Sequence, residues 1–168
     1  RRAGYLDNIL HSSDYMLALV DTLMEYHRMD EGGTHSKNTL FSLKTLFEEM
    51  ADSHRLAALQ KDLAFTASFS GLDAIVCCDS SHIRQIAGNL LSNALKFTFH
   101  GEVRLEAEYR PGNLRIVVRD TGVGINAKER ERIFGAFERL DSARNIPGFG
   151  LGLAITVRLV SEMQGRVE

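Results

Sequence analysis

The sequence predicts an α/β domain preceded by one long amphipathic helix, and three observations lead there. Leu6, Ile9, Ser13, Met16, Val20, Leu23 and His27 recur in steps of three and four, an a/d seam over about three heptads. From residue 39 onward, helical periods alternate with short β-like runs. The chain has 168 residues and is 44% hydrophobic, enough for one good core and a small appendage. A net charge of −2 with interspersed signs carries no basic footprint, so nucleic acid is not an expected partner. No apolar run approaches the roughly 20 residues that cross a bilayer, and RRAGYLDN has no signal-peptide core. Any membrane anchor is therefore expected outside this chain. Cys77 and Cys78 are adjacent in an apolar run, too close for an ordinary bridge, and are expected to be buried thiols in a reducing cytoplasm.

The seam helix carries Asp7, Asp14, Asp21 and Glu25 mostly on its other faces and should stop before Gly32 and Gly33. It suits a bundle or dimer interface, with a core helix of the same domain as the alternative, and the polar GGTHSK stretch reads as a linker. Thr39 to Ser42 can be a first strand, and Leu43 to Leu59 is helical through Leu46, Phe47, Met50 and Ala57. Leu63 to Phe69 and Ala74 to Cys78 are β-like runs whose separation by Ser70, Gly71 and Asp73 suits a hairpin. Asp79 should cap a helix from Ser80 to Lys96, ending near Gly101. Glu102 to Tyr109 and Leu114 to Arg119 form a second hairpin around Pro111, Gly112 and Asn113, which delivers the chain to Asp120. A helix over about Lys128 to Phe134 and another from Leu153 to Met163 complete the pattern, with 135–150 read as a lid loop bounded by glycines.

Three motifs carry chemistry. NLLSNALKFT, residues 89–98, puts Asn89, Asn93 and Lys96 on one face of a helix that is otherwise leucine and alanine. Buried amides left without a partner cost about 1–3 kcal/mol each, so this stripe needs a polar partner such as an anion with its cation. Asp120 precedes the double-glycine loop DTGVGI, and Gly148, Gly150 and Gly152 open the last helix, where exposed N–H groups can cradle an anion. There is no GK[ST] of a Walker loop, and GFGLGL follows a loop, not the strand of a dinucleotide fingerprint.

NLLSNALKFT, DTGVGI, IFGAFERL and GFGLGLAI resemble, in order, the N, G1, F and G2 boxes of sensor histidine kinases, whose catalytic domains belong to the GHKL superfamily. The resemblance covers residues from about 39 to 165. It implies a two-layer α/β sandwich of the Bergerat type, a mixed sheet covered by helices on one face, over 39–168, with the chain ending before the family's closing strand segments. Residues 1–33 resemble the second helix of the dimerisation and phosphotransfer hairpin, and 34–38 its linker. The implied ligands are ATP and Mg2+, and the implied partners a response regulator and, through the hairpin, a second copy of the chain. The implied place is a cytoplasmic domain of a parent that can be anchored in the inner membrane.

Residue by residue, the resemblance implies that Asn93 holds Mg2+ through its amide oxygen, that Asn89 supports the phosphates or a metal-bound water, and that Lys96 contacts phosphate. Asp120 would accept from the adenine amino group, with Gly122, Gly124 and Ile125 letting the backbone approach the base. Gly148, Gly150, Leu151 and Gly152 would wrap the phosphates, and Arg139 or Arg144 would stabilise charge on the transferred phosphoryl group. Phe97 would lie against the nucleotide, and Phe134 and Phe137 would anchor the lid or serve as plain core. Gyrase, Hsp90 and MutL type ATPases place a glutamate one turn before the metal-binding Asn, whereas Asn89 stands there here, and an amide cannot be a general base. This favours phosphotransfer to histidine over hydrolysis. The family's acceptor-histidine pattern is absent from the chain, since neither His11 nor His27 matches it, and Phe149 replaces the usual Thr or Ser of the G2 box. A degenerate kinase acting as a protein-binding module is therefore the alternative reading.

Overall fold

The computed structural model describes residues 13, 16–17, 19–24, 26–27, 37–139 and 148–168. The chain divides into two compact units, Arg1–His35 and Ser36–Glu168. In the first unit every described residue is helical, including Ser13, Met16, Val20, Leu23 and His27 of the seam, while Leu6 and Ile9 lie outside the described residues. Met16, Leu17, Val20, Leu23 and Met24 are all exposed.

The second unit begins with β1 (Thr39–Ser42), followed by α1 (Leu43–Leu59), β2 (Ala64–Ser70), β3 (Ile75–Cys78), α2 (Ser80–Phe97), β4 (Glu102–Arg110) and β5 (Asn113–Asp120). A single 3-10 turn at Arg132–Phe134 and a last helix, α3 (Gly152–Glu162), follow. β4 is the centre of a three-stranded sheet, parallel to β2 and antiparallel to β5, while β1 and β3 form a separate antiparallel pair. Period-two alternation aims Phe65, Ala67 and Phe69 of β2, and Val103, Leu105 and Ala107 of β4, at one core, leaving Thr66, Ser68 and Ser70 outside. Against that face α1 buries Leu43, Leu46, Phe47 and Met50, and α2 buries Ile83, Ala87, Leu91 and Leu95. Helices thus cover one side of a mixed sheet, the predicted two-layer arrangement.

The helices predicted at 43–59, 80–96 and 153–163 and the β4–β5 hairpin lie where the sequence placed them to within a residue, and the Asp79 carboxylate does cap α2, accepting from the Ser81 amide at 2.9 Å. Three expectations are corrected. The runs at 63–69 and 74–78 form no hairpin with each other, because the connection between them has another task. Leu72 is 3% exposed, and the carbonyls of Leu72 and Ala74 accept from the Lys44 and Leu43 amides, each at 3.1 Å, satisfying the first orphan donors of α1. β2 and β3 are thereby sent to different sheets. The predicted helix at 128–134 is a series of turns ending in one 3-10 turn, since 128–132 is a run of charges with no apolar stripe to bury. Asn126 diverts the chain there, its side-chain oxygen accepting from the Lys128 amide at 3.2 Å and its carbonyl from Glu129 at 2.9 Å. Finally, the cysteines are not both buried. They alternate across β3, so Cys77 is exposed opposite Leu40, while Cys78 is half-buried and its thiol is pushed up by burial, then by Asp79 and Cys77.

Candidate functional site

α2 carries the polar stripe, and three other segments meet it. Asn89, Asn93 and Lys96 are half-buried on a helix whose other faces hold the core leucines. Asn89 Nδ2 donates to the Gly152 carbonyl at 3.0 Å and to Thr156 Oγ1 at 3.3 Å, joining α2 to the first turn of α3. The Asn93 side chain makes no hydrogen bond among the described residues. Phe97 ends the helix, and its carbonyl accepts from the Val123 amide at 3.3 Å, which brings the loop after β5 onto the end of α2. Lys96 Nζ lies 5.1 Å from the centre of the Phe97 ring and against Gly148, where any side chain would collide with it.

That loop is organised by Asp120, whose Oδ1 accepts from the Gly122 amide at 2.9 Å. The Asp120 side chain is exposed. A Cβ on Gly122 would sit 2.5 Å from the Phe97 carbonyl oxygen, so only glycine fits this approach. Gly124 and Ile125 continue the loop, with the Ile125 side chain 44% exposed. On the other side, Gly150 (φ +72°) packs on the backbone of Phe137 and Glu138, and its carbonyl accepts from the Phe137 amide at 2.9 Å. The two ends of the stretch 138–149 are thus held together. Leu151 is buried at 1% exposed, and Gly152 is the first residue of α3. Phe134 is half-buried and Phe137 is exposed. Arg139 is exposed, and Arg144 lies outside the described residues.

The electrostatics of the stripe are those of an anion site. Burial pushes the Lys96 ammonium below its ordinary range, and the like charges of Arg139 and Lys61 push it further. A lysine of depressed pKa binds fewer protons folded than unfolded, so between the folded pKa and the ordinary 10.5 stability rises with pH, and below that window the charge destabilises the fold. Lys96→Met is accordingly expected to make the nucleotide-free chain at least as stable as the wild type at neutral pH, with the gap closing as pH rises through that window. Thermal melts across alkaline pH check this, and a gap that widened would contradict it.

Two contributors were not found from the sequence. Lys61, in the turn after α1, donates to the Leu95 carbonyl at 2.8 Å and adds its charge near Lys96, and an isolated lysine in a turn gives no signal of that. Thr156 was legible in principle, as a hydroxyl inside the apolar run LAITVRLV four residues after Gly152.

The residues present also fit a divalent cation. Among the described residues no cluster of three or more His, Cys, Asp or Glu side chains is placed to hold a metal. Asn93 and Asn89 offer amide oxygens instead, suited to a hard cation that keeps several waters and binds mainly through phosphate.

Comparison with known proteins agrees with this geometry. Residues 78–168 match the family described as histidine kinase-, DNA gyrase B-, and HSP90-like ATPase. The chain is 31% identical over 175 residues to the sensor protein GacS of Pseudomonas syringae pv. syringae, covering 99% of itself and 19% of that protein. It is 30% identical over 171 residues to the signal transduction histidine-protein kinase BarA of Escherichia coli (strain K12), covering 97% of itself and 19% of BarA. Full-length ShkA, solved in complex with AMPPNP, superposes with a TM-score of 0.84 at 30% identity, covering 96% of this chain and 34% of ShkA. The chain spans less than two thirds of the length of each, and among the described residues no helix is long and apolar enough to cross a membrane. With the family's match running from Cys78 through the polar stripe, the Asp120 loop and α3, the chain belongs to the histidine kinase-, DNA gyrase B- and HSP90-like ATPases.

Proposed function

We propose that this chain is the ATP-binding catalytic portion of a sensor histidine kinase core. It donates the γ-phosphoryl group of ATP to a histidine carried outside these 168 residues, for relay to a response-regulator aspartate. Residues 1–33 serve as the second helix of the dimerisation hairpin and 34–38 as its linker, and the exposed Met16, Leu17, Val20, Leu23 and Met24 suit pairing with a partner helix. The unit works on the cytoplasmic side of any membrane to which its parent is anchored.

In this reading Asp120, oriented by the Gly122 amide, accepts from the adenine amino group, and Gly122, Gly124 and Ile125 line the base. Lys96 and Arg139 meet the phosphates, Gly148, Gly150 and the backbone of Leu151 and Gly152 close around them, and Phe97 flanks the site. Asn93 through its amide oxygen, with Asn89 beside it, would hold Mg2+, which would supply charge neutralisation of the phosphates.

The observation that carries the choice of phosphotransfer over hydrolysis is Asn89. Its nitrogen is committed to Gly152 and Thr156 on α3, and its remaining oxygen is too weak a base to activate water. The test uses a chain extended upstream through the acceptor helix, incubated with γ-labelled ATP and Mg2+. Acid-labile, alkali-stable label on a histidine is the expected result. Steady release of free phosphate with no labelled histidine would establish the hydrolytic ATPase in its place. Neither label nor release would establish the protein-binding module that the Phe149 substitution suggests.

A further inference from the structure

We infer that Thr156 is a positioning residue that fixes which end of the Asn89 amide faces the nucleotide, and so supplies an oxygen and not an NH2 group to the metal side of the site. The inference rests on the Mg-ATP reading above and concerns a residue outside the four recognised motifs.

Thr156 is 1% exposed in an otherwise apolar stripe of α3, beside Ile155 and Leu159. Its hydroxyl donates to the Gly152 carbonyl one turn earlier, at 2.9 Å. With its hydrogen used there, Oγ1 turns lone pairs toward α2, and Asn89 Nδ2 donates to it at 3.3 Å. The same Nδ2 donates to the Gly152 carbonyl at 3.0 Å, which can only accept. Both groups that α3 presents to Asn89 are therefore acceptors. A flipped amide would set its oxygen against the Gly152 carbonyl, and the Thr156 hydroxyl could meet it only by giving up its own bond to that carbonyl, so one acceptor is left unpaired in a half-buried site. Only the orientation with Nδ2 toward Gly152 and Thr156 keeps all three hydrogen bonds, and it leaves Oδ1 without a partner on α3, 3.7 Å from where a Cβ on Gly152 would lie. Gly152 fits the arrangement, because even a methyl group there would meet Asn89 only at ordinary contact, 3.6 Å from Cγ.

A merely structural Thr156 would affect every ligand alike, whereas an orienting one affects only the part of binding that needs the oxygen. The measurement is calorimetric binding of adenosine, of ATP without metal, and of ATP with Mg2+, on the 168-residue chain and its Thr156→Val and Thr156→Ser variants. Thr156→Val should keep adenosine and metal-free ATP binding within about twofold and reduce the Mg2+-dependent gain in ATP affinity roughly fivefold to tenfold, the worth of one mispositioned hydrogen-bonding group. Thr156→Ser, which keeps the hydroxyl, should restore the gain. An unchanged Mg2+ gain in Thr156→Val overturns the inference, as does an equal loss for adenosine and ATP or a failure of serine to rescue. A wild-type chain with no Mg2+-dependent gain would instead overturn the Mg-ATP reading itself.

Discussion

Asn93→Ala is expected to lower Mg2+-dependent ATP affinity about 100-fold, since in the proposed site it removes an amide oxygen from the cation, an ion–dipole contact worth about 3 kcal/mol. Asn93 lies one turn after Asn89 on the same half-buried stripe, and among the described residues no group depends on its side chain. Removing it leaves no protein partner unsatisfied, so stability should change by no more than about 0.5 kcal/mol. The combination separates this residue from its neighbours. Loss of binding with an unchanged melt identifies a ligand-holding group, while intact Mg2+-dependent binding in calorimetry would remove Asn93 from the site. Asn89→Ala should differ, because Asn89 also ties α2 to Gly152 and Thr156, and its loss should lower the melting temperature as well as the affinity.

Gly122→Ala is expected to damage fold and site together. The added Cβ would sit 2.5 Å from the Phe97 carbonyl oxygen and 2.8 Å from Asp120 Oδ1, and the first of these is backbone at the end of a helix that cannot yield cheaply. Relief requires the loop to lift from α2, breaking the Val123 to Phe97 hydrogen bond and the Gly122 to Asp120 bond that orients the carboxylate. Such overpacking costs about 2 kcal/mol, which lowers the melting temperature by roughly 4–8 °C in a chain of this size. Adenosine binding should fall with it, because Asp120 loses its fixed direction. Gly124→Ala is the control, since a Cβ there meets nothing within 4 Å and only the positive φ of +68° opposes it. Equal destabilisation by both substitutions would show that the contact with Phe97 is not what demands glycine at 122.

Helical periods were the most legible part of the chain. α1 and α2 lie where Leu43, Leu46, Phe47 and Met50, and the leucines around Asn89, said they would, because a buried stripe repeats often enough to be read. What pairing a strand finds was not legible. Alternation in 63–69 reports a half-buried strand and says nothing of its neighbour, so β2 was assigned to β3 when it lies beside β4, more than thirty residues further on by sequence. The exposure of Cys77 failed for a related reason. An apolar run suggests burial on both faces, yet β3 belongs to a two-stranded ribbon with one covered side. Around α2, Asn89, Lys96, Gly122, Gly148 and Gly152 were legible as types at fixed spacings and Phe97 only through the resemblance, and the structure brings them to one helix. Lys61 and Thr156 were not singled out, because their roles exist only between elements.

The parallel pairing of β2 with β4 has a consequence for how the chain folds. Ala64 lies opposite Glu102, and the only route between the two strands runs through β3 and the whole of α2. The central strand pair cannot zip until that crossover is in place, and non-local pairing of this kind is the slow part of folding. The helix bearing Asn89, Asn93 and Lys96 thus lies inside the loop that this pairing must close, so one crossover carries both the site's polar stripe and the connection on which the central strand pair depends.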